Sequence, residues 1–179
     1  MTGRSEQRAR MIRVDHAGEV GATRIYAGQI AVMGDRAPHS AQIRAMAEQE
    51  AAHRAEFDAL LTGRGVRPTA LQPLWSAAGY ALGAATALLG PEAAMACTAA
   101  VETEIDRHYS RQLETLEQDR ADGRDDPELA ALIARFREDE REHHATAIAS
   151  GAERAPAYRL LSGAIRLGCR AAIRLSERV

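Results

Sequence analysis

The stretch MAEQEAAHRAEFDALL, Met46–Leu61, decides how this chain folds, because its apolar row is broken in an unexpected place. Ile43, Met46, Phe57 and Leu60 recur by threes and fours, the spacing of one face of an α-helix. The two positions that complete the row are Glu50 and His53. An unpaired carboxylate inside a core costs several kcal/mol, so a helix that carries one on its buried face needs a compensating partner.

The same interruption recurs along the chain. A later row reads Leu129, Leu132 or Ile133, Phe136, then Glu140, His143 and Ala147. Glu19 lies in line with Tyr26, Ile30 and Met33, and Glu102 with Met95, Ile105, Tyr109 and Leu116. The order is Glu, Glu-x-x-His, Glu, Glu-x-x-His, as in two related helical hairpins that each bring three donors. Four clustered carboxylates repel; two divalent cations would neutralise them. Oxygen donors with one imidazole per ion suit iron or manganese. Residues three apart share a helix face, so each Glu-x-x-His can reach one centre. This order matches the ligand set of ferritin-like di-iron and di-manganese bundles. The metal ligands expected are therefore Glu19, Glu50, His53, Glu102, Glu140 and His143. Asp139 is expected to accept a hydrogen bond from the outer nitrogen of His53, whereas Gln49, at the equivalent place, suggests an unsymmetrical surround. His16 is expected in a capping or hydrogen-bonded role, and Glu142 and His144 at the surface.

Around these rows almost every segment has helical period and none has the alternation of a strand. Long helices are expected over about 14–33, 41–61, 91–120 and 127–149, with Ser40 and Asp126 as N-caps and Pro91 near a first turn. Further helices are expected over about 73–89 and 158–177. The segment 68–91 has no ionisable side chain except Tyr80, but its apolar part is short of the roughly 20 residues a membrane crossing needs. Gly79 and Gly83 within it, and Gly18 and Gly21 beside Glu19, favour close helix packing.

Composition bounds the rest. With 179 residues and 46% hydrophobic content, the chain suits one folded unit. We expect an all-α, ferritin-like four-helix bundle with additional apolar and C-terminal helices, over 1–179, with about ten disordered residues at the N-terminus. A net charge of −2 argues against nucleic acid as a partner. Cys97 and Cys169 are too few for a disulfide framework or thiolate metal site. No signal-peptide pattern opens the sequence. In the last helix Arg166, Arg170, Arg174 and Arg178 run beside Leu161, Ile165, Cys169, Ala172 and Ile173. That pattern suits a membrane surface with anionic headgroups.

Several stretches go beyond the general pattern: RVDHAGEVGATRIYAGQ (13–29), QEAAHRAEF (49–57), ACTAAVETEIDRHYSRQL (96–113), REDEREHHATAI (137–148) and the C-terminal APAYRLLSGAIRLGCRAAIRLSERV (155–179). Together they resemble the demethoxyubiquinone hydroxylase family. The resemblance implies a di-iron monooxygenase with two Fe ions per chain, at the same six ligands. It would hydroxylate a polyprenylated methoxy-benzoquinone with O2 and reducing equivalents from NADH or a reductase. His108 and Tyr109 match positions implicated in proton or electron relay. The chain is expected to be cytoplasmic, peripheral on the inner face of a bacterial cell membrane. Other ubiquinone-biosynthesis proteins, or a second copy of the chain, would be its protein partners. An iron-storing ferroxidase is the main rival. A peroxide-reducing di-iron protein is weaker, because no Cys-rich domain accompanies the bundle.

Overall fold

A computed structural model describes residues 3–178. Six helices account for most of them: α1 (Gly3–Met33), α2 (Ser40–Arg64), α3 (Gln72–Leu88), α4 (Pro91–Ala121), α5 (Pro127–Ala149) and α6 (Tyr158–Ser176), with a 3-10 turn over Ala152–Arg154 before the last. There is no strand among the described residues. The four long helices α1, α2, α4 and α5 form the bundle; α3 packs along α1, and α6 along α4. Two apolar clusters cap the polar centre. One joins Tyr26, Ile43, Met46, Met95 and Ala147. The other joins Ile12, Phe57, Leu61, Leu116, Leu129, Ile133 and Phe136.

The helix rows behave as their periodicity requires. In α2 the buried side chains are Ser40, Ile43, Met46, Glu50, His53, Phe57 and Leu61. In α5 they are Leu129, Ile133, Phe136, Glu140, His143 and Ala147. Asp126 caps α5 by accepting from Leu129 N at 3.2 Å, and Pro91 sits in the first turn of α4.

Two boundaries differ from expectation. Residues 3–13, expected to precede the first helix, continue α1. Ala9 and Ile12 are buried there. Arg8 reaches Asp119 at 3.1 Å and Asp126 at 3.3 Å, and donates to Arg124 O at 2.8 Å. These partners are more than a hundred residues away, so the local sequence gives no hint of them. Ser40 is not a cap: His39, in a left-handed conformation, precedes α2, and Ser40 is buried as its first residue.

Glycine sets how closely α3 approaches α1. A Cβ at Gly28 or Gly83 would run into backbone of the facing helix, at Tyr80 and Ala84 or at Ile25, and one at Gly79 would meet Gly21 O at 2.7 Å. No side chain can move aside to relieve such contacts. Gly28→Ala should therefore lower stability by about 3 kcal/mol, whereas Gly63→Ala, in open space on α2, should raise it by about 0.5–1 kcal/mol. Urea unfolding of the two variants against wild type measures both signs.

Candidate metal centre

The helix rows bring all six expected donors to one place midway along the bundle. Glu19, Glu50, His53 and Glu140 offer atoms within 4.8 Å of one another, and so do Glu50, Glu102, Glu140 and His143. Either group could hold a metal ion. Glu50 and Glu140, the carboxylates of the two Glu-x-x-His pairs, belong to both groups. Glu140 is divided between them: its Oε1 lies 3.2 Å from His53 Nδ1, and its Oε2 lies 3.0 Å from His143 Nδ1. Glu50 Oε1 is 3.2 Å from His143 Nδ1, and Glu19 Oε2 is 3.7 Å from His53 Nδ1.

These atoms are close but poorly aimed at one another. Glu19 Oε2, Glu50 Oε1 and His53 Nδ1 are buried and make no hydrogen bond. Buried polar atoms are nearly always satisfied, so a set that converges without bonding fits a common cation. The donor chemistry agrees: four carboxylates and two imidazoles, with no thiolate. Both imidazoles turn Nδ1 inward and anchor Nε2 outside. His53 Nε2 meets Asp139 Oδ2 at 3.0 Å, and His143 Nε2 meets Gln49 Oε1 at 3.1 Å. The expected asymmetry between Asp139 and Gln49 is thus one of charge and not of position. Phe136 stacks on the His53 ring, centroids 3.9 Å apart.

Electrostatics without a cation are unfavourable. Burial, then the charge of Glu140, pushes Glu50 and Glu102 well above the usual carboxylate range and Glu19 up to about 7. Burial also pushes Glu140 upward, but hydrogen bonds from His143 and His53 outweigh it and hold that carboxyl at about 2. Burial would lower both imidazoles; the carboxylates around them raise them instead.

The structure also shows what the helix rows did not reveal. Tyr109 OH donates to Glu19 Oε1 at 2.7 Å, and Tyr26 OH to Glu102 Oε1 at 3.3 Å. Each tyrosine stands seven positions after its own helix's Glu and serves the other helix's Glu. The signal was present: EVGATRIYAGQ (19–29) and ETEIDRHYSRQ (102–112) share Glu, Arg, Tyr and Gln at equal spacing. Beside Tyr109, His108 Nε2 approaches Asp15 Oδ1 at 2.9 Å, and Gln112 Nε2 approaches the same oxygen at 2.8 Å. His16 binds Asp58 at 2.8 Å, the hydrogen-bonded role expected of it. Glu142 is exposed and His144 half-buried.

A largely apolar cavity of about 560 Å³ runs from this tyrosine to the outside between α1, α3, α4 and α6. Gly18, Gly21, Trp75, Leu82, Ile165 and Cys169 are among its walls, and Asp15, His108 and Tyr109 form its polar part.

Residues 6–176 match the family model described as ubiquinone biosynthesis protein COQ7. The chain belongs to this family. It is 53% identical over 168 residues to the rat NADPH-dependent 3-demethoxyubiquinone 3-hydroxylase, mitochondrial, covering 94% of this chain and 76% of that protein. It is 52% identical over 170 residues to the 3-demethoxyubiquinol 3-hydroxylase of Rhodospirillum rubrum, covering 95% and 77%. The human protein named like the rat one is also 52% identical over 170 residues, with the same coverage. The resemblance seen in the sequence is thus a family membership, and the bundle and its buried Glu/His centre are this COQ7-family chain's version of the fold.

The shifted carboxyls have a pH consequence. A carboxyl that binds its proton more tightly folded than unfolded favours the fold at low pH and loses that effect as pH rises through its folded value. Raised imidazoles act in the same sense. Metal-stripped protein should therefore melt progressively lower between about pH 5 and pH 8, and added divalent cation should flatten the trend. Calorimetry across that range tests it; an unchanged melting temperature in the stripped protein would contradict the electrostatics described.

Proposed function

We propose that this chain is a di-iron monooxygenase that hydroxylates a polyprenylated methoxy-benzoquinone ring, demethoxyubiquinone, in ubiquinone biosynthesis. The carrying observation is the junction of the two parts of the site. A Glu/His centre fit for two cations meets, through Tyr109 and Glu19, the end of an apolar cavity. Its volume falls within the 300–1,000 Å³ common for ligand pockets. The hydroxylase names of the relatives support the same reading.

Glu19, Glu50, His53, Glu102, Glu140 and His143 would hold two iron ions, whose bound pair supplies the reduction of O2. Asp139 and Gln49 orient the two imidazoles. Tyr109 holds Glu19 and presents a phenol to the reacting end of the cavity, with His108 beside it. The apolar walls exclude water and hold the ring and the start of its tail. One oxygen atom enters the ring and the other leaves as water, which consumes two electrons and two protons. The expectation of NADH as their source widens to a reduced nicotinamide, since the rat and human relatives are named NADPH-dependent. The ferroxidase reading leaves the cavity without a purpose.

Exposed side chains indicate where the substrate enters. Leu74, Tyr80, Leu88, Leu89, Leu160, Leu167 and Leu175 are exposed, and all lie on α3, just after it, or on α6. Exposed apolar side chains concentrated on two helices favour an interaction site there. Among the described residues no helix is long and apolar enough to cross a membrane. The exposed side chains support peripheral docking of α3 and α6 on the inner face of a cell membrane. The basic row of α6 needs correction, however. Arg166 and Arg170 both donate to Glu104 Oε1, at 2.7 and 2.9 Å, and Glu104 is 1% exposed. These two arginines hold α6 to α4; Arg159, Arg174 and Arg178 are the exposed ones.

Two outcomes test this reading. Wild type should bind about two irons per chain and convert a short-tailed demethoxyquinone to a product one oxygen heavier, labelled from O2 and not from water. Glu50→Ala and Glu140→Ala should each lose iron and turnover, so full iron with activity in both would remove the ligand assignment. In vesicle flotation, Arg159→Glu with Arg174→Glu should weaken binding to anionic vesicles, and Leu160→Ser with Leu167→Ser to all vesicles. Unchanged flotation in every variant would sink the membrane placement.

A further inference from the structure

The metal centre is approached by openings of different chemistry. The apolar cavity has none of the six candidate ligands in its wall. Nor does a groove between α2 and α5, bounded by Leu60, Gly63, Leu132 and Arg135 among others. A third opening does. Between α4 and α5, a cleft of about 500 Å³ has Glu102 in its wall, with Asp106, Glu138, Arg141, Glu142 and His144 around it. Glu102 is only 3% exposed, and it offers an oxygen to the donor group of Glu50, Glu140 and His143. One carboxylate therefore belongs both to the centre and to the cleft.

The wall of this cleft suits a cation in transit. Asp106 is paired with Arg137 at 2.8 Å, and Glu138 with Arg141 at 3.1 Å. Glu138 and Arg141 are both exposed, and an exposed ion pair is weak enough to be exchanged for another partner. These pairs leave out Glu142, which is exposed, and His144, which is half-buried. Among the described residues, no three donors of the cleft converge as those of the centre do. An ion can pass along such a wall without being kept there. A hydrated divalent cation that crossed the apolar cavity would shed water with nothing to replace it. Oxygen and nitrogen donors spread along a cleft replace that water in steps.

We propose that the cleft between α4 and α5 is the entry route for the divalent cations of the centre. Glu142 and His144 receive the hydrated ion, and Glu102 passes it inward to Glu50, Glu140 and His143. This rests on the metal-centre reading and says how that centre is loaded. Ion loading and binding of the ring then use separate openings. A route differs from a ligand in what it controls: obstructing it slows arrival and departure alike and leaves the final occupancy unchanged.

Loading is measured by adding Fe2+ under nitrogen to the metal-stripped full chain and trapping unbound ion with a chromogenic chelator at successive times. Release is the loss of ion from loaded protein to the same chelator. Ala145 is exposed in the cleft and Ala164 in the cavity, so a tryptophan at either position obstructs one opening from the surface. Ala145→Trp should slow loading and release by one shared factor and leave the iron bound at the end unchanged. Ala164→Trp should change neither rate. Glu142→Lys should slow loading by about tenfold, because it reverses the charge that captures the ion. Loading slowed as much by Ala164→Trp as by Ala145→Trp, or by neither, overturns the proposal and leaves the metal-centre reading standing. Lower final iron at an unchanged loading rate in Ala145→Trp also overturns it, since the cleft would then belong to the site and not to the route. If wild type takes up no Fe2+, the metal-centre reading itself fails and the route with it.

Discussion

Mutual repulsion among four buried carboxylates is the constraint on which the rest of this structure depends. Glu19, Glu50, Glu102 and Glu140 converge from four helices into a space where burial and the charge of Glu140 push the other three toward the protonated form. The bundle tolerates this because its apolar clusters lie to either side and hold the helices in place from outside the centre. Stability is thus separated from function along the bundle axis: packing fixes the backbone, and the strained middle is left for cations. Buried ion clusters are weak contributors to stability in general, so this centre is no brace for the bundle.

Around that centre the chain uses approximate two-fold repetition and then departs from it. The donors, the outer partners of the imidazoles and the tyrosines are all doubled. The cavity is not, because α3 and α6 cover the bundle in their own way. α3 is held by contact between helix backbones at Gly28, Gly79 and Gly83. α6 is held by Arg166 and Arg170 on one buried carboxylate, and at its far end by Trp75 donating to Ser176 at 2.9 Å. Its buried side chains are only Ile165 and Ser176. The cavity therefore lies between α1, α3 and α4 on one side and α6 on the other, with α6 held to α4 both by these polar contacts and by Leu161, Ile165 and Cys169.

Particular residues show how much was legible beforehand. Glu50 and His53 could be read from one helix because period 3.6 fixes which side chains share a face, whatever the rest of the fold does. The same holds for Glu140, His143, Glu19 and Glu102. Asp139 could be matched to a ligand imidazole because it adjoins a Glu on the same turn. Arg166 and Arg170 were misread because their spacing is equally consistent with a headgroup or with a partner on another helix. Glu104, the partner that takes them, lies more than sixty positions away and sits just two residues after a candidate ligand.

The sequence by itself determined the helices, the buried Glu and His set, and the family, since each depends on periodicity or on residue identity at fixed local spacing. Only the tertiary structure decided which carboxylates are shared between the two groups of donors, that residues 3–13 extend α1, and that Tyr26 and Tyr109 cross over to each other's Glu. It alone placed Asp15, His108 and Gln112 around one oxygen at the end of a cavity. Those outcomes depend on how helices are rotated and spaced against one another. That relation is set by packing between residues far apart in the chain, of which a linear pattern carries no direct record.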